Sequence, residues 1–211
     1  MPDGAPAKAQ PVEAVVFDVG GVLLDWNPRH LYRKIFDDEA AMERFLTDVC
    51  SHDWNEQADA GRPIADITEE LCARHPDQTA MIETYYARFP EMIKGAIDDT
   101  VILLKRLHAR NMPLYVLSNF SAETFPIARQ RFGFFDHFAG LLISGAEGMK
   151  KPDPRIYELV VERFGLSPAH TFFIDDRADN AQAAVDAGWQ AHHFTTPAAL
   201  EADLKDRELL G

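Results

Sequence analysis

Four short apolar runs, at residues 14–17, 114–117, 141–143 and 171–174, do most to limit the folds open to this chain. Each is rich in Val, Ile, Leu and Phe and lacks polar alternation, as expected of strands buried on both faces. A fifth run, 190–194, is weaker because His192 and His193 interrupt it. Amphipathic helical segments lie between the runs. One has Asp153 as N-cap, Pro154 in the first turn, Ile156, Leu159, Val160 and Phe164 turned inward, and Gly165 as the stop. Another leads from Asp99 or Thr100 into Val101, Leu104 and Leu107, and a third ends at Gly188 after Ala183, Ala184 and Ala187. Strand and helix in alternation predict an α/β fold: a parallel sheet covered on both faces, with right-handed crossovers. Ligands of such sheets bind beyond the carboxyl ends of the strands.

The rhythm breaks between residues 28 and 97, where helical periodicity and many charges replace any convincing strand. An all-helical insertion is expected there, with helices near 31–36, 40–50, 64–74 and 77–89 and breaks at Gly61-Arg62-Pro63 and His75-Pro76. That divides the chain into a core of residues 12–27 and 98–211, a small helical module of 28–97, and a disordered tail of 1–11 that lacks the pattern of a signal peptide. With 211 residues the chain can bury one good core and carry such a module, and monomer or homodimer both suit this size. No apolar run reaches the roughly 18 residues of a membrane span. Cys50 and Cys72 have neither zinc-site spacing nor the numbers for a disulfide framework, so a cytoplasmic, reducing setting is expected. Lys and Arg number 21 against 34 Asp and Glu, a net charge of −13 that repels nucleic acid. An anionic substrate would need local cations, a metal and a lysine, to offset that field.

Reading each run to its carboxyl end gives Asp18, then Ser118 and Asn119, then Lys150 and Lys151 a little further on, then Asp175 and Asp176. Asp18 precedes Val19, Gly20 and Gly21, and the two glycines let the backbone turn tightly beside a carboxylate that suits nucleophilic attack. Taken alone, it also fits an ordinary strand-ending turn. Asp175 and Asp176 suit Mg²⁺, which takes one or two protein carboxylates, and equally suit the N-cap of a following helix. Ser118 and Asn119 offer a hydroxyl, an amide and backbone N–H groups to phosphate oxygens, though Ser-Asn is also common in turns. Of the two lysines ahead of Pro152, one is expected on the nucleophile and phosphate and the other in solvent.

Together, Phe17-Asp18-Val19-Gly20-Gly21-Val22, Leu117-Ser118-Asn119, Gly148 to Tyr157 and Phe173 to Asn180 resemble the four motifs of the haloacid dehalogenase-like superfamily. The resemblance spans about residues 12–195 and implies a Rossmann-like sheet core with a small helical cap after the first strand. It implies that Asp18 is a nucleophile forming an aspartyl-phosphate and that Ser118 and Asn119, with Gly20 and Gly21 alongside, bind the substrate phosphate. It further implies that Lys151 balances charge and that Asp18, Asp176 and the Gly20 carbonyl hold magnesium, with Asp175 and Asn180 in support. The cap closes over the site and excludes water; Trp26, Arg29, Trp54 and Asn55 are candidates to face the pocket, with core packing the alternative for the tryptophans.

One position departs from the pattern. Family phosphatases carry a second Asp two residues after the nucleophile, as general acid and base, where this chain has Gly20. The Asp-x-Gly form with an Asp seven residues on, here Asp25, is similar to a bacterial subgroup that includes sugar-phosphate phosphatases. Asp25, a metal-bound water or a cap residue would then move the proton, and N-capping is an equal reading of Asp25. The expectation is a magnesium-dependent phosphohydrolase acting on a small phosphorylated metabolite, with no nucleic-acid or membrane partner. The alternatives are 2-haloacid dehalogenation at Asp18 and a catalytically impaired phosphate- and metal-binding regulatory protein.

Overall fold

The computed structural model describes residues 10–211. Most of the expected tail falls on residues 1–9, outside the described residues, whereas Gln10 and Pro11 are fastened through their carbonyls to Gln190 and His170. The chain runs through β1 (Ala14–Phe17) and β2 (Leu24–Trp26) into α1 (Arg29–Tyr32), α2 (Glu39–Asp48), α3 (His52–Asp59), α4 (Ile64–Arg74) and α5 (Thr79–Ala87). It continues through β3 (Ile93–Ala96), α6 (Asp98–Ala109), β4 (Leu114–Ser118), α7 (Phe125–Arg131), β5 (Gly140–Ile143) and α8 (Ser144–Glu147). It ends with α9 (Pro154–Phe164), β6 (Thr171–Asp175), α10 (Ala178–Asp186), β7 (Gln190–His193) and α11 (Pro197–Asp206).

Five strands form one parallel sheet in the order β5-β4-β1-β6-β7. β1 is central and the strand order reverses there, which makes its carboxyl end the switch point where a crevice opens. Alternate side chains serve opposite faces. Val16, Leu117, Leu142 and Phe173 pack against Ile156, Tyr157 and Val160 of α9, Ala184 of α10 and Trp189. Val15, Phe17, Val116, Phe172 and Ile174 join the larger cluster on the other face, which runs on through Val19, Leu23 and Phe89 into the helices between Arg29 and Ala87. This is the parallel α/β core expected from the runs of apolar residues, and it is Rossmann-like, as the resemblance implied. α9 begins and ends as its sequence requires: Asp153 accepts the Arg155 N–H, Pro154 follows, and Gly165 stops the helix at φ +66°.

Four details differ from the expectation. Segment 28–97 contains a strand after all, because β3 pairs antiparallel with β2 across Leu24–Ala96, Asp25–Gly95 and Trp26–Ile93, with an irregularity at Asp25 and Trp26. Ile-Lys-Gly-Ala is too short and too poor in β-branched residues to announce itself. α3 was not anticipated, since its apolar face is carried by little more than Trp54 and Ala58. α6 starts at Asp98, ahead of the expected Asp99 or Thr100, and the helix expected over 31–36 is regular only to Tyr32 before single turns carry it to Phe36. Among the described residues no helix is long and apolar enough to cross a membrane.

Candidate active site

Four strand ends deliver the polar groups to one crevice. Asp18 follows β1, and its N–H donates to the Ile174 carbonyl of the neighbouring strand at 2.9 Å. Ser118, the last residue of β4, donates its hydroxyl to Asp18 Oδ1 at 2.8 Å. The Lys151 ammonium reaches Asp18 Oδ1 at 2.9 Å, Asp175 Oδ2 at 2.6 Å and the Leu117 carbonyl at 3.0 Å, so its three hydrogens are all engaged. Asn119 clamps the same loop from both sides of its amide, donating to the Lys151 carbonyl at 2.9 Å and accepting its N–H at 2.8 Å. Asp175, at the end of β6, also accepts from the Asn180 amide and the Arg177 N–H and is fully enclosed. Asp176 beside it is exposed at the cavity.

These charges do not balance. Burial above all, opposed by Lys151 and reinforced by Asp175 and Asp176, raises the Asp18 carboxyl to about 7. Burial opposes the Lys151 ammonium, yet Asp175 and Asp18 outweigh it and hold the lysine above its usual value. With all three ionised, as attack by Asp18 requires, three carboxylates against one ammonium leave two negative charges uncompensated. Asp18, Asp175 and Asp176 each offer an oxygen, and these atoms lie within 4.8 Å of one another. An all-oxygen donor set with a deficit of two positive charges fits a hard divalent cation.

The two glycines differ. Gly21 has φ +71°, and a Cβ there would run into the Asp176 carboxylate, so only glycine lets this turn close against that side chain. At Gly20 nothing lies within 4 Å of where a Cβ would point, and the position opens on the cavity. Asp25 is not brought into that cavity: its carboxylate meets His30 Nε2 at 2.8 Å. Nor does it cap a helix, because Asn27 accepts the Arg29 N–H at the start of α1.

The cavity over Asp18 has a volume of about 240 Å³. The core supplies Gly20, Gly21, Asn119, Asp176 and Asn180, and aromatic walls come from Trp26, Phe89 and Phe120. α3 supplies His52, Asn55, Glu56 and Asp59, spaced i, i+3, i+4 and i+7, so that one polar stripe faces Asp18. That stripe, together with Arg177, was missed in the sequence apart from Asn55; a polar i, i+3, i+4, i+7 pattern backed by Trp54 was the available signal. Trp54 itself is core, its indole N–H donating to the Ile67 carbonyl at 3.0 Å, and Arg29 lines an adjoining cavity while paired with Glu43. Lys150 is not left to solvent as expected: it donates to Glu56 at 2.9 Å, and Arg177 approaches the other Glu56 oxygen at 3.4 Å. The charged stripe thus draws the lysine across to α3.

A family model of haloacid dehalogenase-like hydrolases matches residues 12–188. The chain belongs to that family and is a hydrolase. It is 30% identical over 200 residues to the sesquiterpene phosphatase astK of Aspergillus oryzae, covering 94% of this chain and 97% of that protein. The wild-type HAD family enzyme bt-2542 of Bacteroides thetaiotaomicron, solved with magnesium and inorganic phosphate, superimposes with a TM-score of 0.65 at 20% identity, over 87% of this chain and 94% of that one. The L-2-haloacid dehalogenase of Xanthobacter autotrophicus superimposes with a TM-score of 0.62 at 18% identity, over 95% and 85%. At these identities the two structures speak for the fold alone.

Proposed function

We propose that this hydrolase is a magnesium-dependent phosphatase that cleaves a small phosphomonoester through an aspartyl-phosphate on Asp18. The observation that carries the reading is the Asp18 carboxylate, fixed by Ser118 and Lys151 inside a three-carboxylate cluster and open to the cavity. Asp18 and Asp176, with Gly20 beside them and Asp175 behind, are the residues that would hold magnesium, which when bound offsets the repulsion between a carboxylate nucleophile and a phosphate dianion. Ser118 and Lys151 orient the Asp18 carboxylate for in-line attack, and Lys151 keeps a positive charge against the phosphoryl oxygens. Asn119 holds the Lys151 loop in register at the edge of the same cavity. A phosphatase named as such among the relatives supports this over the dehalogenase reading, as does the second carboxylate of the Asp175–Asp176 pair.

A cavity of about 240 Å³ lies below the usual range for drug-sized ligands and suits a phosphate with a leaving group of sugar size. On this reading residues 28–97 form a cap over the core of 12–27 and 98–211, and α3 is the face of that cap turned to the substrate. The test is a phosphate-release screen over small phosphomonoesters with Mg²⁺, with EDTA, and with Asp18→Asn. Metal-dependent turnover that vanishes in the variant is the expected result. Halide release from 2-haloacids without metal, or phosphate binding without turnover, would replace it with the dehalogenase or the regulatory reading.

A further inference from the structure

We infer that Asp59, on the cavity-facing stripe of α3, is the proton-transfer residue of the reaction, protonating the leaving alcohol and then deprotonating the attacking water. The inference rests on the phosphatase reading above. Its starting point is an empty position: Gly20 has no side chain and open space around it, and Asp25 is turned to His30 outside the cavity. Two carboxylates reach the cavity from α3. Glu56 is already engaged, by Lys150 at 2.9 Å, His52 at 3.2 Å and Arg177 at 3.4 Å. Asp59 is buried and its side chain has no ion-pair partner within 4 Å among the described residues.

Its setting is otherwise fixed. The Asn55 amide donates to Asp59 Oδ2 at 3.1 Å, and the Asn55 oxygen accepts from the Tyr86 hydroxyl at 3.1 Å, so the amide cannot turn over without losing both bonds. The Asp59 carbonyl accepts from Ser144, whose hydroxyl also accepts the Phe120 N–H, and this ties the end of α3 to the core. The groups facing the carboxyl are Glu56 from its own helix, Lys150, Asp18, the Ser121 amide and the phenols of Tyr85 and Tyr86. Burial first, then Glu56, push it up to about 7, against Lys150 and the Ser121 amide, so the acid keeps its proton close to neutral pH.

The proton inventory closes over two steps. The Asp18 carboxylate forms a bond to phosphorus as the ester P–O bond breaks, and the alkoxide takes the Asp59 proton, giving aspartyl-phosphate, alcohol and the Asp59 carboxylate. That carboxylate then accepts a proton from water as the water oxygen bonds to phosphorus and the bond to Asp18 breaks, which releases phosphate and restores the acid.

The test compares an alkyl phosphomonoester found in the screen with para-nitrophenyl phosphate, whose leaving group needs no proton. Turnover of either substrate by the wild type tests the phosphatase reading by itself, and its absence overturns both. Asp59→Asn should lower kcat on the alkyl ester by about 10²–10⁴. On para-nitrophenyl phosphate it should give a burst of one nitrophenolate per enzyme followed by slow release, because the second step lacks its base. Gly20→Asp added to Asp59→Asn should restore turnover from the vacant side. Alkyl-ester turnover within about threefold of wild type, or equal loss on both substrates without a burst, would overturn the assignment. Should Asp59→Asn fail to fold, the wild-type pH profile decides: the alkyl-ester first step must fall on the alkaline side while the nitrophenolate burst rate does not. Identical alkaline limbs for the two would contradict it.

Discussion

Asp18 carries a charge problem that its neighbours solve only in part, since Lys151 is one cation among three clustered carboxylates. The turn that makes room for this arrangement sets a sharp difference between adjacent glycines. Gly21→Ala should cost about 1–2 kcal/mol for its left-handed backbone and displace Asp176, weakening Mg²⁺ binding, whereas Gly20→Ala should leave stability within about 0.5 kcal/mol; denaturant melts and metal titration of the two variants check this. Asp59 makes a second prediction at this scale. Its folded carboxyl lies near 7 against 3.8 for the ordinary group, so between those values the unfolded chain releases a proton that the folded chain keeps. Stability from this group is intact below about pH 4 and is lost as pH rises toward 7. Asp59→Asn should therefore melt like wild type at pH 4 and be more stable at pH 8, by at most about 4 kcal/mol. A stabilised variant that loses activity is the expected cost of keeping an acid in a buried site. Asp18, Ser118, Lys151 and Asp175 were legible from the sequence because each ends or follows an apolar run, and a parallel sheet sends all such ends to one edge. His52, Glu56 and Asp59 were not, because their meaning depends on how α3 is laid over that edge.

At the scale of elements, the strands of the sheet were readable and the pieces that shape the pocket were less so. β1, β4 and β6 lie inside the sheet with both faces covered and are therefore written in nearly continuous apolar residues, and the edge strand β5 keeps Leu142 and Ile143 buried. β7 is an edge strand and could afford His192 and His193, the first paired with Asp203 of α11. β2 and β3 are three and four residues long, and their pairing closes over the whole helical segment between them, a long-range contact that neither run announces by itself. α3 has eight residues, too few to be stable on sequence alone, and it is held by tertiary contacts. Trp54 is the main one, packed edge-on to Tyr85 at 5.0 Å between ring centres and bonded to the Ile67 carbonyl. Trp54→Ala should cost about 3–5 kcal/mol, and because it loosens the helix that carries Asp59 and Glu56, kcat should fall in the fraction that remains folded; thermal melts and steady-state kinetics measure the two effects.

Across the whole molecule the sheet supplies a rigid edge and the helices of 28–97 supply the wall that faces it. The two are joined by a continuous apolar cluster and by polar ties from Ser144 to Asp59, Lys150 to Glu56 and Glu123 to the Ile64 N–H. The net charge of −13 works against an anionic substrate until the cation deficit at Asp18 is filled. Mg²⁺ should therefore stabilise the protein as well as activate it: at a hundred times its dissociation constant, a rise in Tm of roughly 5–10 °C is expected for a chain of this size. That rise should be absent in Asp176→Asn. The most direct measurement on the central claim is an acid quench during turnover of a phosphomonoester with Mg²⁺, followed by peptide mapping for covalent phosphate. The account requires phosphate on Asp18, absent from Asp18→Asn, and at a level that rises in Asp59→Asn when the substrate is para-nitrophenyl phosphate, whose leaving group needs no proton. Turnover that continues in Asp18→Asn, or proceeds in the wild type with no phosphate ever attached to Asp18, would contradict it.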